Sequence, residues 1–317
     1  MSTRILLYGD VHFGPTGETH DYERPELGEE FDAVVTIGDV IDDNVDHAAS
    51  AADGEPYERR GRAFFEHLDG QDVPVVAVPG NHDPLDCTER LTEGLDNVVV
   101  AHEAVVTPDS FPGLDASFDG ISFVGWGCEA FDVRLEFPYA EYPALDPRPD
   151  ADSATIGHLA DEAASEVESA VGRYLDGGAS AGEIADEFGL DRADRVRMIE
   201  QFEALRESYQ RIRAVVEDAP GEAVLCSHVS PFNTSFDYHH SFDDLAGRLH
   251  RGSIALKMAA AATGPLALFC GHVHQQGYDV IETVAGHRVA YNPGSPGVVA
   301  VEADPERGTV QVDEEPV

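Results

Sequence analysis

Five short apolar runs, each ending in a cluster of metal-binding side chains, constrain this chain more than any other feature. The runs 5–8, 33–37 and 73–78 lead to Asp10-Val11-His12, Gly38-Asp39 and Gly80-Asn81-His82-Asp83. The runs 223–226 and 266–270 lead to Ser227-His228 and Gly271-His272-Val273-His274. All five have the length and β-branched content of buried parallel strands. In an open α/β sheet the loops leaving the carboxyl ends of strands converge on one crevice. Donors scattered from position 10 to position 274 can therefore meet at one place.

The spacings carry the next step. In Asp10-x-His12 and His272-x-His274 the donors are two residues apart, so while a strand persists they point the same way. Gly38 and Gly80 stand where the backbone must leave a strand sharply, a position suited to a residue without Cβ. Carboxylate, imidazole and amide oxygen together suit manganese, iron or zinc, whereas calcium or magnesium would take more oxygen. The seven donors Asp10, His12, Asp39, Asn81, His228, His272 and His274 are too many for one tetrahedral ion. Two divalent ions roughly 3.5–4 Å apart and sharing one carboxylate would use them all, clamping the attacking and leaving oxygens of a displacement at phosphorus. Asp39 is the expected bridge, manganese the expected metal, and a hydroxide held between the ions the expected nucleophile. His82 is then left over as a non-ligand, placed to donate a hydrogen bond or a proton to the phosphate, with Asp83 available to orient its imidazole.

In that order the blocks D-x-H, GD, GNHD, H and GHxH resemble the signature of the calcineurin-like metallophosphoesterases. The match spans residues 5–295 with one long interruption, and Asn292-Pro293-Gly294-Ser295 is also similar to what members of that family carry. The resemblance implies a four-layer αββα sandwich, an α/β fold that hydrolyses phosphomonoesters or phosphodiesters. It implies that Asp10, His12, Asp39 and His274 hold one metal and that Asp39, Asn81, His228 and His272 hold the other. It makes His82 the catalytic histidine. Each block alone has a plainer meaning, since Gly-Asp is an ordinary turn, a single histidine is usually a core residue, and Asp83-Pro84 suits a helix start. Five blocks in order, each behind a strand-like run, favour the site.

Composition bounds substrate and setting. The formal charge is −41, and of 20 Lys and Arg residues one alone, Lys257, is lysine. Such an acidic surface suits a molar-salt cytoplasm, where the screening length falls to about 3 Å and self-repulsion is tolerable. It also disfavours nucleic acid, whose binding relies on basic side chains releasing counterions. A small phosphoester is thus expected ahead of the second reading, a nuclease. A protein phosphatase is further off, because those enzymes resemble this pattern with Glu where Asp83 stands and Arg where Pro79 stands. The third reading, a non-catalytic scaffold, sits poorly with a complete set of donors. The four cysteines form no C-x-x-C, and Cys226 and Cys270 read as small core residues, with an oxidation-sensitive layer beneath the metals as the lesser reading. No secretory signal is read at the start, so a cytoplasmic location is expected, and the apolar stretch 254–270 is broken by Lys257, Gly264 and Pro265 into helix, turn and strand.

The long interruption divides the chain into a phosphoesterase domain, 1–145 and 218–317, and an inserted helical cap, 146–217. Within it 121–126 reads as a strand, 131–149 as a loop and 157–217 as helix. Ser180 with Glu183 forms a capping box, Gly189 stops one helix and Asp191 starts a longer one. Val196, Ile199, Phe202, Leu205, Tyr209, Ile212 and Val216 give the longer one an apolar face. A helix-turn-helix reading is outweighed by charge: residues 151–220 hold 16 acidic and 7 basic side chains, a net of 7 − 16 = −9. Trp126, Arg134, Phe137 and Tyr139 are candidates for touching substrate or for anchoring the cap. His239-His240 reads as an exposed pair, and Arg248 and Arg251 are the nearest cations for a phosphate.

Overall fold

The computed structural model describes residues 2–14, 23–27, 30–42, 51–116, 118, 120–130, 153–189, 192–237 and 250–313. The strands are β1 (Thr3–Tyr8), β2 (Ala33–Thr36), β3 (Val75–Ala77), β4 (Val98–Val100), β5 (Ala104–Val106), β6 (Ile121–Trp126), β7 (Glu222–Ser227), β8 (Ala267–Phe269), β9 (Gly277–Thr283), β10 (Gly286–Asn292), β11 (Val298–Asp304) and β12 (Thr309–Asp313). They form two mixed sheets, ordered β12-β11-β1-β2-β3-β4 and β5-β6-β7-β8-β10-β9. β1 to β4 run parallel, as do β6, β7, β8 and β10. β11 flanks the first set antiparallel on one side, with β12 antiparallel to β11 beyond it, and β5 and β9 flank the second set antiparallel on its two sides.

Burial explains the layering. Ile5, Leu6, Leu7 and Tyr8 are all buried, because β1 is covered on both faces and alternation has no exposed side to serve. Ile5 and Leu7 face the second sheet, joining Val35, Val76, Phe123, Val224, Phe269 and Tyr291 in the core between the sheets. Leu6 and Tyr8 face outward, against Phe64, Phe65 and Leu68 of α1 (Ala51–Asp69) and Leu91 of α2 (Leu85–Thr92). The second sheet turns Leu225, Leu268 and Ala290 outward onto α3 (Ser153–Leu175), α4 (Ala181–Glu187), α5 (Arg192–Glu217) and α6 (Ile254–Thr263). Helices, sheet, sheet, helices: this is the four-layer αββα sandwich expected from the sequence.

The helical stretch between β6 and β7 is built largely as its local signals dictate. Ser180 accepts from Glu183 N, and the Glu183 carboxylate accepts from Ser180 N, a reciprocal cap on α4. Gly189 takes φ +66° beyond its end. The α5 face differs from expectation at its start, where Val196 is 50% exposed and Met198 is fully buried. At 3.6 residues per turn Val196 stands about 120° around the helix from Phe202, outside the apolar stripe. Trp126 anchors this layer, since Arg211 of α5 lies over its ring and His102 packs beside it. In α6 Ser253 accepts from Leu256 N, and Gly264 closes the helix at φ +70° before β8. Among the described residues no helix is long and apolar enough to cross a membrane. Residues 131–149, with Arg134, Phe137 and Tyr139, and Asp191, His239, His240 and Arg248 lie outside the described residues.

Candidate metal centre

Both sheets deliver their carboxyl ends to one point. β1, β2 and β3 of the first supply Asp10 and His12, Asp39, and Asn81; β7 and β8 of the second supply His228, and His272 with His274. The crevice therefore lies between the two sheets of the sandwich. The strands also stop earlier than the paired spacing assumed: β1 ends at Tyr8 and β8 at Phe269. His12, Asp39, His272 and His274 all take positive φ, from 50° to 70°, so tight turns rather than strand pleats aim them. Non-glycine residues in this region carry strain that the surroundings must hold in place. Gly38 does turn at φ +91°. A Cβ on Gly80 would run into the Asp39 backbone and carboxylate and come 2.7 Å from Asp83 Oδ1.

Two clusters of donors result, each with its ligand atoms within 4.8 Å of one another: Asp10, His12, Asp39 and His274, and Asp39, His228 and His272. Asp39 belongs to both. Its Oδ2 lies 3.7 Å from His12 Nε2 and 3.4 Å from His228 Nε2, while Oδ1 accepts from His82 N at 2.7 Å. His12 Nε2 and His274 Nε2 stand 2.9 Å apart. Asn81 Oδ1 lies 2.8 Å from both His228 Nε2 and His272 Nδ1, so all seven predicted donors come together.

The donor chemistry fits a cation. His228 Nδ1 donates to the Ile37 carbonyl at 2.8 Å, which fixes the tautomer and leaves Nε2 as a lone pair. That lone pair points at Asn81 Oδ1 and Asp39 Oδ2, both acceptors, and a positive ion between them reconciles the three. Asp10 Oδ1 accepts from His272 N at 2.8 Å, yet Oδ2 is buried with no hydrogen-bond partner. Burial pushes the Asp10 carboxyl up to about 7 and Asp39 well above the carboxylate range, with the Asp10 charge adding to the rise at Asp39. Burial also drives His12 and His228 down to about 3 and lowers His274. Neutral imidazoles beside carboxylates starved of positive charge are what a divalent ion binds.

His82 is half-buried, its ring centroid 5.0 Å from that of His12. The Asp83 carboxylate is engaged by the backbone. Its Oδ1 accepts from Asp39 N and Gly80 N, each at 2.9 Å, and its Oδ2 from Val40 N at 2.8 Å. Both oxygens thus accept from backbone donors of the turns that carry Asp39 and Asn81. Burial pushes this carboxyl up to about 6 against those N–H groups. No motif signalled this, because side-chain contacts to backbone N–H leave no pattern in spacing. Asp42 stands 3.4 Å from His12 Nδ1, and the Ser295 hydroxyl donates to the Asp10 carbonyl at 2.6 Å.

Two cysteines and one further histidine lie in packed surroundings. Cys226 lies in the core between the sheets and Cys270 in the core beneath the helices, their thiols directed at Val224 O and Tyr291 O. His250 is buried, with Nδ1 donating to Asp237 Oδ1 at 2.5 Å. The same carboxylate accepts from the N–H groups of Asn233, Thr234 and Gly252 and so staples the loop that follows His228.

A family model described as calcineurin-like phosphoesterase matches residues 3–276. No curated protein matches by sequence. One solved structure, 14% identical, superimposes with a TM-score of 0.55 over 99% of this chain and 99% of its own, a likeness of fold alone. TT1561 of Thermus thermophilus is 15% identical with a TM-score of 0.44 over 99% of each chain. The sulfate thiohydrolase SoxB of Thermus thermophilus, solved with glycerol, is 14% identical with a TM-score of 0.35 over 88% of this chain and 38% of its own.

Proposed function

The chain belongs to the calcineurin-like phosphoesterases, metal-dependent hydrolases of phosphoester bonds, and from that membership we propose that it is a two-metal enzyme acting on a small phosphomonoester or phosphodiester. One observation carries the two-metal reading: Asp39 is common to both clusters of donors, with Oδ2 facing a histidine of each. Asp10, His12, Asp39 and His274 would hold one ion and Asp39, Asn81, His228 and His272 the other, with manganese the favoured metal for this mixture of oxygen and imidazole. Divalent ions bound there supply Lewis acidity, polarising a phosphoryl oxygen and lowering the pKa of water.

The protein's own groups do the rest. His82 stands within reach of a phosphate and serves as proton donor to the leaving oxygen. Asp83 fixes the two turns that bring Asp39 and Asn81 together. His228 is held in its tautomer by the Ile37 carbonyl. The helices of 146–217 are read as an insertion between two strands that pair directly, β6 and β7, in a domain formed by 1–145 and 218–317. A net charge of −41 favours a small substrate drawn by the ions over a polymer drawn by a basic surface.

The test is a substrate panel of nitrophenyl phosphate, bis-nitrophenyl phosphate, cyclic nucleotides and DNA, with Mn²⁺ at molar salt, run on the wild type and Asp39→Asn. Turnover of small esters, lost together with bound metal in Asp39→Asn, is the expected outcome. Preference for DNA would replace this reading by a nuclease, and no hydrolysis with metal bound would leave a scaffold.

A further inference from the structure

Asn292 lies outside every donor set named so far, yet it is fully buried at the end of β10, where three turns of the metal centre meet. Its Nδ2 donates to the Gly271 carbonyl at 3.1 Å and reaches Ser230 Oγ at 3.5 Å. Its Oδ1 accepts from Gly294 N at 2.8 Å. These two backbone partners fix the amide's orientation, since a flipped amide would set oxygen against carbonyl and N–H against N–H.

Each partner leads to a proposed ligand. Gly271 precedes His272, and the Gly271 carbonyl also accepts from Ser230 Oγ at 2.9 Å and from Val273 N. Ser230 lies two residues beyond His228, whose carbonyl accepts from Gly271 N at 2.9 Å. Gly294 and Ser295 grip Asp10: the Ser295 hydroxyl donates to the Asp10 carbonyl, and a Cβ on Gly9 would come 2.5 Å from Gly294 O. The loop closes where His272 N donates to Asp10 Oδ1, and a Cβ on Gly271 would lie 2.7 Å from Asp10 Oδ2. One amide therefore ties the turns of His228, His272 and Asp10, ligands of both proposed ions.

We propose that Asn292 is a positioning residue of the metal centre, setting the register of Asp10 against His228 and His272 through Gly271 and the 292–295 turn. The proposal rests on the two-metal reading above. It makes the amide nitrogen matter separately from the volume of the side chain. Asn292→Asp keeps the acceptor for Gly294 N but places an oxygen against the Gly271 carbonyl, displacing the turn that carries His272.

The experiment titrates wild type, Asn292→Asp and Ser230→Ala with Mn²⁺ alone, and measures kcat and KM for bis-nitrophenyl phosphate across Mn²⁺ concentrations beside the melting temperature. Asn292→Asp is expected to bind Mn²⁺ about 10–100-fold more weakly, as loss of groups that orient metal ligands does. Its kcat should recover as Mn²⁺ is raised while KM stays within about twofold, a recovery that a merely less stable fold would not show. Ser230→Ala removes the other side-chain donor to the same carbonyl and should shift Mn²⁺ affinity in the same direction by about 3–10-fold; it decides the matter if Asn292→Asp does not fold. Wild-type affinity in the folded variants, with only the melting temperature lowered, overturns the positioning role and leaves the two-metal reading standing. A wild type that binds one ion or none overturns both.

Discussion

Replacing Asp83 by asparagine changes one atom and separates two accounts of this residue. In the structure the carboxylate receives three backbone N–H groups, Asp39 N and Gly80 N on Oδ1 and Val40 N on Oδ2, all at 2.8–2.9 Å in a buried setting. Asparagine can keep its oxygen toward the first two, and its amide nitrogen then faces Val40 N–H. A buried donor left without an acceptor costs about 1–3 kcal/mol, and hydrogen bonds to a charged acceptor are worth about 1.5–3 kcal/mol, part of which is lost at the other two. The sum is roughly 3 kcal/mol. For a chain of this size that lowers the melting temperature by roughly 4–5 °C. The turn that relaxes carries Asp39, so Mn²⁺ affinity should fall with it, by about 10–100-fold. Thermal melts with and without chelator, beside a Mn²⁺ titration, check both. An Asp83→Asn protein with wild-type melting and metal binding but turnover down about 10²-fold would refute the backbone role and return Asp83 to work through His82.

The other expectations are briefer. His82→Ala should keep both metals and lose roughly 10²–10⁴ in turnover, as removal of a general acid does, and turnover equal to wild type would take it out of the chemistry. Mn²⁺ uptake near pH 6 should release protons from carboxylates and none from His12 or His228. Asp10 holds its proton up to about 7, whereas those imidazoles, down at about 3, are already neutral. Affinity should therefore climb as pH rises from 5 to 7, a trend that titrations in buffers of different ionisation enthalpy would expose; affinity independent of pH over that range would contradict it. Gly80→Ala should abolish metal binding in a protein that still shows the wild-type circular dichroism, because the added methyl would collide with Asp39. With a charge of −41, melting temperature should rise from dilute buffer to molar KCl, and greatest stability without salt would remove the halophilic reading.

How much of this was legible in the amino-acid order depends on whether a pattern reaches through the backbone. The strand ends were readable because continuous apolar runs such as 5–8 and 223–226 report burial on both faces of a sheet. The seven donors were readable because their residue types are rare at the ends of such runs. That two sheets face each other was carried by the resemblance alone, since nothing local to β3 or β7 says which sheet it joins. The left-handed turns at His12, Asp39, His272 and His274 were invisible, since histidine and aspartate carry no preference strong enough to announce them. The contacts that Asp83 and Asn292 make were not legible for one shared reason: they are made with backbone N–H and C=O groups of distant segments, which every sequence contains.

Anomalous diffraction at the manganese edge, on crystals grown from protein loaded with Mn²⁺, tests the central claim most directly. Two peaks roughly 3.5–4 Å apart, with the Asp39 carboxylate between them, are predicted. A single peak, or two that share no contact with Asp39, would contradict the account.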